Sequence, residues 1–137
     1  MAEPSSCKSS IDALEKALGG RVVVIAASWR DDSRHDLGLG AARAFVDVFE
    51  TLEERPQHLT LFVVARGGHA AFADQVLRTM RGSQTTFDLV VPTFCSGVAT
   101  VMALGAGTVL MHPHGGLGAY DAGPLLPDAG RLDHDLI

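Results

Sequence analysis

The chain has 137 residues, a length that suits one domain with a sizeable buried core. It is 47% hydrophobic and 20% charged, which excludes a disordered polypeptide. The net charge is −5 without any run of Lys or Arg, so the sequence predicts no nucleic-acid partner. It also predicts no membrane partner, because no uninterrupted apolar segment is long enough to span a bilayer and no signal peptide is visible.

The first half of the chain predicts a helix, a strand and a second helix. After a loose leader over residues 1–7, Ser9 or Ser10 is placed to cap a helix that ends at Leu18, before two glycines. The β-branched run over residues 21–27 predicts a central strand, followed by a charged loop over 29–36. A second helix is predicted over residues 39–54, and its inward face would carry Phe45, Val48, Phe49 and Leu52.

The second half continues the alternation of strands and helices. Residues 59–65 predict a buried strand, residues 66–68 a turn, and residues 69–81 a helix. The inward face of that helix would carry Phe72, Val76 and Met80. The stretch 87–111 then predicts a buried strand (87–91), a sharp turn (92–97), a short helix (98–106) and a second buried strand (108–111), covered on both faces. A Gly-rich loop over 112–121 and a short polar tail follow.

This alternation predicts an α/β protein with mostly parallel strands and right-handed helical crossovers. A dinucleotide site is not indicated, because Ala26-Ala27-Ser28-Trp29 follows the first strand in place of a G-x-G-x-x-G motif, and no Walker A motif occurs. The glycines of residues 115–118 lack a strand-to-helix context, so they predict tight turns. Cys7 and Cys95 lie in unlike contexts, and reduced thiols in a cytoplasmic protein are the simplest interpretation.

Three segments in series carry a resemblance to a known family: LFVVARGGHAAFADQVLRTMR, VVPTFCSGVATVMALGAGTVLM and GGLGAYD. Together they resemble the serine dehydrogenase proteinase family, which has the ClpP/crotonase-like fold. The resemblance covers residues 59–121 well and residues 22–52 loosely. It implies a ClpP/crotonase-like domain over residues 21–124, preceded by a leader and helix (1–20) and followed by a short polar tail (125–137). It also implies a homo-oligomer, since the fold usually self-associates.

In that family the Gly-Gly turn and the backbone amide after the nucleophile are thought to build an oxyanion hole. Carried over, the resemblance implies this role for Gly67, Gly68 and Val98, with Gly97 as a further donor if the turn is shifted by one residue. The chemistry is reasonable for these residue types, because adjacent glycines allow a backbone to approach a substrate closely. Each amide donor of this kind can contribute roughly 3 kcal/mol to a transition state.

The sequence departs from the family at the nucleophile. Aligned without a gap, the family's catalytic serine falls on Gly97, and Ser96 stands one residue early. The Asp that usually precedes the next strand is also replaced by Gly107-Thr108, whereas Asp121 matches the family's L-G-x-x-D loop. Family members generally continue into further helices, so a truncated copy, a fragment or a partner-dependent domain is expected.

Ser96 is one candidate nucleophile, and its alternative role is an N-cap for the helix that follows. Cys95 is another, but a small buried residue at a strand end is the preferred interpretation. Either nucleophile needs a base, for which His69, His112 and His114 are candidates, each with a solvated loop position as the alternative. Asp121 could orient a histidine, and the only lysines, Lys8 and Lys16, lie far from this region.

No metal is predicted, because His112 and His114 have no placed third ligand. No cofactor is predicted either, and nothing identifies a coenzyme A site. Two functions remain open. The preferred one is a degenerate, non-hydrolytic member that binds peptides or assembles with partners. The alternative is an active peptidase that uses Ser96, a histidine base and the Gly68 and Gly97 amides. A weaker third possibility is crotonase-like stabilisation of an acyl group, which needs an oxyanion hole but no serine.

Overall fold

Strands and helices alternate through the computed structural model, which describes residues 4–27 and 37–119. In chain order the elements are α1 (Pro4–Leu18), β1 (Val22–Ala26), α2 (Leu39–Glu50), β2 (His58–Val64), α3 (Ala70–Gly82), β3 (Thr86–Val91), β4 (Phe94–Cys95), α4 (Val98–Gly105), β5 (Val109–Met111) and β6 (Gly116–Leu117). The strands pair in parallel, in one sheet of four and one of two. The predicted α/β class with mostly parallel strands is therefore confirmed.

The four-stranded sheet has the order β1-β2-β3-β5, so its strands follow one another in space as they do along the chain. Crossovers of one hand that always step in the same direction leave their helices on one face of a sheet. The core has this arrangement, since one set of alternating strand residues packs with residues of α2, α3 and α4. This inner face of the sheet carries Val23, Ile25, Leu59, Leu61, Val63, Phe87, Leu89 and Val91.

The opposite, outer face of the sheet is also apolar in its middle. A row of residues in register crosses all four strands on this face: Val24, Phe62, Val90 and Leu110. Both ends of the row are exposed, at 42% for Val24 and 42% for Leu110, whereas the two middle residues are partly buried. Apolar runs alone suggested strands covered on both faces, but the described core joins α2, α3 and α4 to the inner face.

Two strands lie at the edges of the sheet, where the sequence predicted interior strands. The prediction that residues 21–27 form a central strand is wrong, because β2 is the one described strand that pairs with β1. The prediction that residues 108–111 form a buried strand is wrong as well, because every residue of β5 is at least 36% exposed. Apolar composition cannot distinguish an edge strand from an interior strand, because it indicates how much surface a strand could bury and not how many neighbouring strands it has.

The first helix begins earlier than predicted. It starts at Pro4, a residue suited to the first helical turn because the amide that proline lacks has no helical partner there. The predicted caps, Ser9 and Ser10, lie inside the helix, where their hydroxyls donate to the carbonyl of Ser6 at 2.9 and 3.0 Å. Residues of this type can bond back to the preceding turn, so a serine alone does not fix a helix start.

The second helix ends earlier than predicted. It ends at Glu50, four residues before the predicted Glu54, and Thr51 is its C-cap. The Thr51 hydroxyl donates to the carbonyl of Val48 at 2.7 Å, which satisfies a carbonyl at the helix end. The inward face is partly confirmed, since Phe45 and Phe49 are buried but Val48 is exposed.

The third helix confirms its predicted inward face, because Phe72, Val76 and Met80 are all buried. It ends in a Schellman arrangement: the Thr85 amide donates to the Met80 carbonyl at 2.9 Å and the Gln84 amide to the Arg81 carbonyl at 3.1 Å. Gln84 accordingly has φ of 57°, a conformation that favours glycine.

Replacing Gln84 by glycine is expected to raise the free energy of unfolding by about 1 kcal/mol, because glycine adopts this conformation without a steric cost. Chemical denaturation followed by circular dichroism measures the change. Gln75→Gly is the matched control: Gln75 is exposed within α3, where glycine should cost about 1 kcal/mol. Equal effects of the two substitutions would contradict the explanation.

Some predicted segments lie outside the described residues, namely the charged loop over 29–36, Asp121 and the polar tail over 125–137. Within the two described ranges, no helix combines the length and apolar character needed to cross a bilayer.

Candidate functional site

The turns that follow β2, β3 and β5 carry the predicted site residues that the structure describes. Because parallel strands end at the same edge of a sheet, these turns come together beyond the carboxyl ends of the strands. The turn after β2 holds residues 66–69, the segment after β3 holds residues 92–97, and the loop after β5 holds residues 112–119. Asp121, also predicted for the site, is outside the described residues.

The Gly-Gly turn packs directly against the turn that begins α4. A Cβ atom built on Gly68 would lie 3.0 Å from Cγ1 of Val98 and 3.0 Å from Cβ of Leu37. A Cβ atom built on Gly97 would lie 3.0 Å from Cα of Gly67. The structure thus brings together all four residues that the sequence predicted for an oxyanion hole.

Gly97 forms a sharp turn between β4 and α4. Its φ of 63° and ψ of −118° lie outside the regions that residues with a side chain readily adopt, and it is the N-cap of α4. A strained strand-to-helix turn of this kind is where a nucleophile elbow presents its serine. Here the residue has no side chain, and the backbone of Gly67 occupies the space next to it.

Two backbone amides at this junction lack a backbone acceptor among the described residues, although one of them belongs to the fully buried Val98. Ser96 N–H donates to the carbonyl of Ala65 at 3.0 Å, and Gly97 N–H donates to that of Ala119 at a long 3.4 Å. The amides of Gly68 and Val98, by contrast, donate to no backbone carbonyl of the described ranges. Val98 is the first residue of α4, where the helix dipole adds partial positive charge. The Gly68 amide, on a partly exposed residue, can therefore donate to a carbonyl or carboxylate oxygen, and the Val98 amide can do so only if the residues that cover Val98 move.

Ser96 points away from this junction. Its backbone forms a parallel bridge with Arg66, and its Cβ atom is 3.0 Å from where a Cβ of Gly118 would lie. Ser96 therefore faces the loop after β5, whereas the Cβ direction of Gly97 leads toward Gly67. Ser96 does not take the alternative role of N-cap. Gly97 is the N-cap of α4, and no side chain caps this helix.

The candidate histidines lie on the surface and apart from Ser96. His69 is the exposed N-cap of α3, and its amide donates to the carbonyl of Leu37 at 2.9 Å. His112 and His114 are both exposed, and Nδ1 of His112 accepts the His114 amide at 3.2 Å. In the described part of the chain no hydrogen bond joins Ser96 to a histidine, and no three metal-ligating side chains are grouped.

Cys95 belongs to the core, which confirms the preferred interpretation of a small buried residue at a strand end. It is fully buried in β4, and its Sγ atom donates to the carbonyl of Val63 at 3.3 Å. A thiol in this position anchors β4 to β2 and is not accessible to a substrate.

A small second sheet, which the sequence did not predict, positions the loop after β5. Strand β4 pairs in parallel with β6, and the Phe94 ring lies so close to Gly116 and Gly118 that built Cβ atoms would be 3.2 and 2.6 Å from it. The Thr100 hydroxyl donates to the Gly118 carbonyl at 2.7 Å, which ties the loop to α4. These two glycines therefore accommodate a ring, although they were predicted to form tight turns. Their spacing of two residues, typical of one face of a strand, was the available signal.

Comparison of the chain with protein-family models, curated proteins and solved structures gave no match. The chemistry of the site must therefore be argued from its geometry. An amide without a backbone acceptor, such as that of Gly68, can stabilise a carbonyl oxygen that reaches it. Nucleophilic catalysis would also need a nucleophile within hydrogen-bond reach of a base, and no such pair occurs among the described residues of the site.

Proposed function

We propose that this chain is a ClpP/crotonase-like domain, akin to the serine dehydrogenase proteinase family, that binds peptides without hydrolysing them. The observation that carries the proposal is Gly97. It occupies the strained strand-to-helix turn where the resemblance puts a serine, yet the neighbouring amides of Gly68 and Val98 have no backbone acceptor among the described residues. The site thus keeps the elements that hold a carbonyl oxygen and lacks the one that attacks it.

The fold supports the proposal in its general features. The parallel sheet with one-directional crossovers and the small second sheet are compatible with a ClpP/crotonase-like domain. The Gly-Gly turn also falls where the resemblance requires it, after β2 and against the start of α4.

An extended peptide is the ligand we propose, because its backbone offers carbonyl oxygens at regular spacing. The surroundings suit an apolar side chain, since Phe94 is 47% exposed beside Gly116 and Gly118. No charged residue lies in the segment 92–98, but the exposed Arg66, whose backbone bridges Ser96, adds a positive charge beside it.

The proposal is tested by titrating the ¹⁵N-labelled chain with an acetylated, amidated trileucine peptide and following its backbone amides by NMR. We expect the Gly68 and Val98 resonances to shift most, and to shift downfield, because a new carbonyl acceptor polarises their N–H bonds. Gly68→Ala should weaken binding by roughly tenfold or more. The variant keeps the N–H group, but its Cβ atom would lie 3.0 Å from Leu37 and Val98, so the turn and its amide must shift. Gly82→Ala is the control, because Gly82 is exposed with no heavy atom near its Cβ position.

Hydrolysis is tested separately with a fluorophosphonate probe and mass mapping of any adduct. We expect no adduct on the folded chain. An adduct on Ser96 that disappears in Ser96→Ala would overturn the non-hydrolytic assignment in favour of an active serine hydrolase. Peptide shifts confined to residues far from Gly68 and Val98 would overturn the binding site itself.

A further inference from the structure

Three side chains at the amino ends of β2 and β3 are joined by hydrogen bonds centred on His58. Nδ1 of His58 lies 2.8 Å from Oγ1 of Thr86, and Nε2 lies 3.1 Å from Oδ2 of Asp88. Thr86 is paired with His58 in the sheet, and Asp88 stands two residues further along β3. Because alternate residues of a strand share a face, all three side chains lie on the outer face of the sheet. We call these three residues the His58 site.

The His58 site is open to solvent, but the backbone that carries it is held firmly. The side chain of His58 is 49% exposed and that of Asp88 is 26% exposed. Strands β2 and β3 are paired from their first residues onward, and the Thr86 amide donates to the carbonyl of Gln57 at 2.9 Å. Side chains on paired strands are positioned more precisely than side chains on loops. A small ion can therefore reach a pair of side chains that is already oriented.

The separation of Nε2 and Oδ2 suits a shared zinc ion. Zn²⁺ binds imidazole nitrogen and carboxylate oxygen at about 2.0–2.2 Å, usually with tetrahedral geometry. From these bond lengths, two such donors on one tetrahedral ion lie about 3.4 Å apart. The observed 3.1 Å is close to that separation. A small rotation of the Asp88 carboxyl group is therefore enough for both side chains to bind one ion.

The hydrogen bond to Thr86 supports the ring form that a metal ion requires. An ionised carboxylate only accepts, so without a metal ion Nε2 carries a proton toward Asp88. A metal ion on Nε2 replaces that proton, and the neutral ring then carries its one proton on Nδ1. Nδ1–H can donate to Oγ1 of Thr86, whose hydroxyl has its own acceptor in the Gln57 carbonyl at 3.2 Å. Histidine ligands of zinc usually have an outer partner of this kind.

We propose that the His58 site binds a zinc ion through Nε2 of His58 and a carboxylate oxygen of Asp88, with Thr86 as the positioning residue. Zn²⁺ in an open site completes its coordination with water, which the exposure of His58 permits. The bound ion links the amino ends of two neighbouring strands. This inference is independent of the proposed peptide site, which lies at the carboxyl ends of the strands.

Another histidine pair in the described part of the chain lacks these features. The ring centroids of His112 and His114 are 5.4 Å apart, and both residues lie in an exposed loop. Nδ1 of His112 accepts the His114 amide at 3.2 Å, so the neutral His112 ring carries its proton on Nε2. A metal ion on that nitrogen would move the proton to Nδ1 and break the bond. His112 is therefore a suitable control for His58.

Isothermal titration of the full chain with zinc chloride tests the inference, with Cys7→Ser in every sample because Cys7 is an exposed thiol. His58→Ala and Asp88→Asn should each raise the dissociation constant of the strongest site by roughly tenfold or more, since each removes a ligand. Thr86→Val keeps both ligands and should also raise it by roughly tenfold, as expected for the loss of an outer partner. His112→Ala should leave it unchanged.

Long-range ¹H–¹⁵N spectra of the histidine rings give a readout that a merely structural role of Thr86 would not move. Zinc should bring the His58 ring to the form protonated on Nδ1 and should leave the His112 ring unchanged. Circular dichroism verifies that each variant is folded. A dissociation constant above roughly 1 mM, a His58 ring insensitive to zinc, or binding lost in His112→Ala in place of His58→Ala would overturn the inference.

Discussion

Replacing Leu89 by alanine is expected to lower the free energy of unfolding by roughly 3–5 kcal/mol, the range for Leu→Ala at sites that cannot collapse around the lost volume. Leu89 is fully buried in β3, in register between Leu61 on β2 and Val109 on β5. Strands on both sides hold the backbone in place, so the cavity cannot close easily. Urea denaturation followed by circular dichroism measures the loss.

Leu104→Ala is the control for this prediction, because the same atoms are removed from a side chain that is 86% exposed. Its effect should stay within about 0.5 kcal/mol of zero, as for most surface substitutions. Similar losses for the two variants would mean that Leu104 is covered in solution or that Leu89 is not enclosed. The melting temperature should fall more for Leu89→Ala than for Leu104→Ala, as the urea denaturation midpoint does.

Replacing Gly97 by alanine is expected to destabilise the fold by roughly 2–5 kcal/mol. Two costs combine. The backbone conformation of Gly97 is unfavourable for any residue with a Cβ atom, and that atom would lie 3.0 Å from Cα and 3.2 Å from the carbonyl carbon of Gly67. The second cost is hard to relieve, because the obstacle is backbone and cannot rotate away. Denaturation with urea measures the sum.

Gly82→Ala is the matched control for the strain at Gly97. No heavy atom lies within 4 Å of its Cβ position, and it is the last residue of α3. Alanine there should leave stability unchanged or raise it by up to about 1 kcal/mol, since alanine is the better helix former. A Gly97→Ala variant as stable as Gly82→Ala would contradict the described turn. Gly97→Ser should destabilise the fold to a similar extent, because a serine at this turn would require Gly67 to move.

The fold class followed from the sequence because two periodicities are strong in this chain. Apolar residues at helical spacing, such as Phe72, Val76 and Met80, face the core as predicted, and the β-branched runs became strands. Whether a strand lies at the edge or in the interior of the sheet was not predictable from these periodicities. Val24 and Leu89 both lie in apolar runs, yet one lies at an edge and the other in the interior, because burial depends on neighbours that only the topology supplies.

The candidate site, like the fold, was only partly predictable from the sequence. The proximity of the turns at Gly68 and Val98 was anticipated from the family resemblance, since the order of motifs along the chain implied it. The direction of the Ser96 side chain was not, because it depends on the bridge to Arg66 and on the β4–β6 pairing, which join residues distant in sequence. A two-residue strand is too short to leave a periodic signal.

The spatial order of the main sheet has a consequence for how the protein forms during synthesis. Each strand of that sheet pairs with the preceding strand of the same sheet, and one described helix lies between the two, so each pairing joins segments that are near in the chain. Short closures cost little loop entropy and favour rapid folding. A nascent chain can therefore assemble from its amino-terminal end as it leaves the ribosome, and the β4–β6 pairing, which fastens the loop beside the proposed peptide site, can form only after β6 has been made.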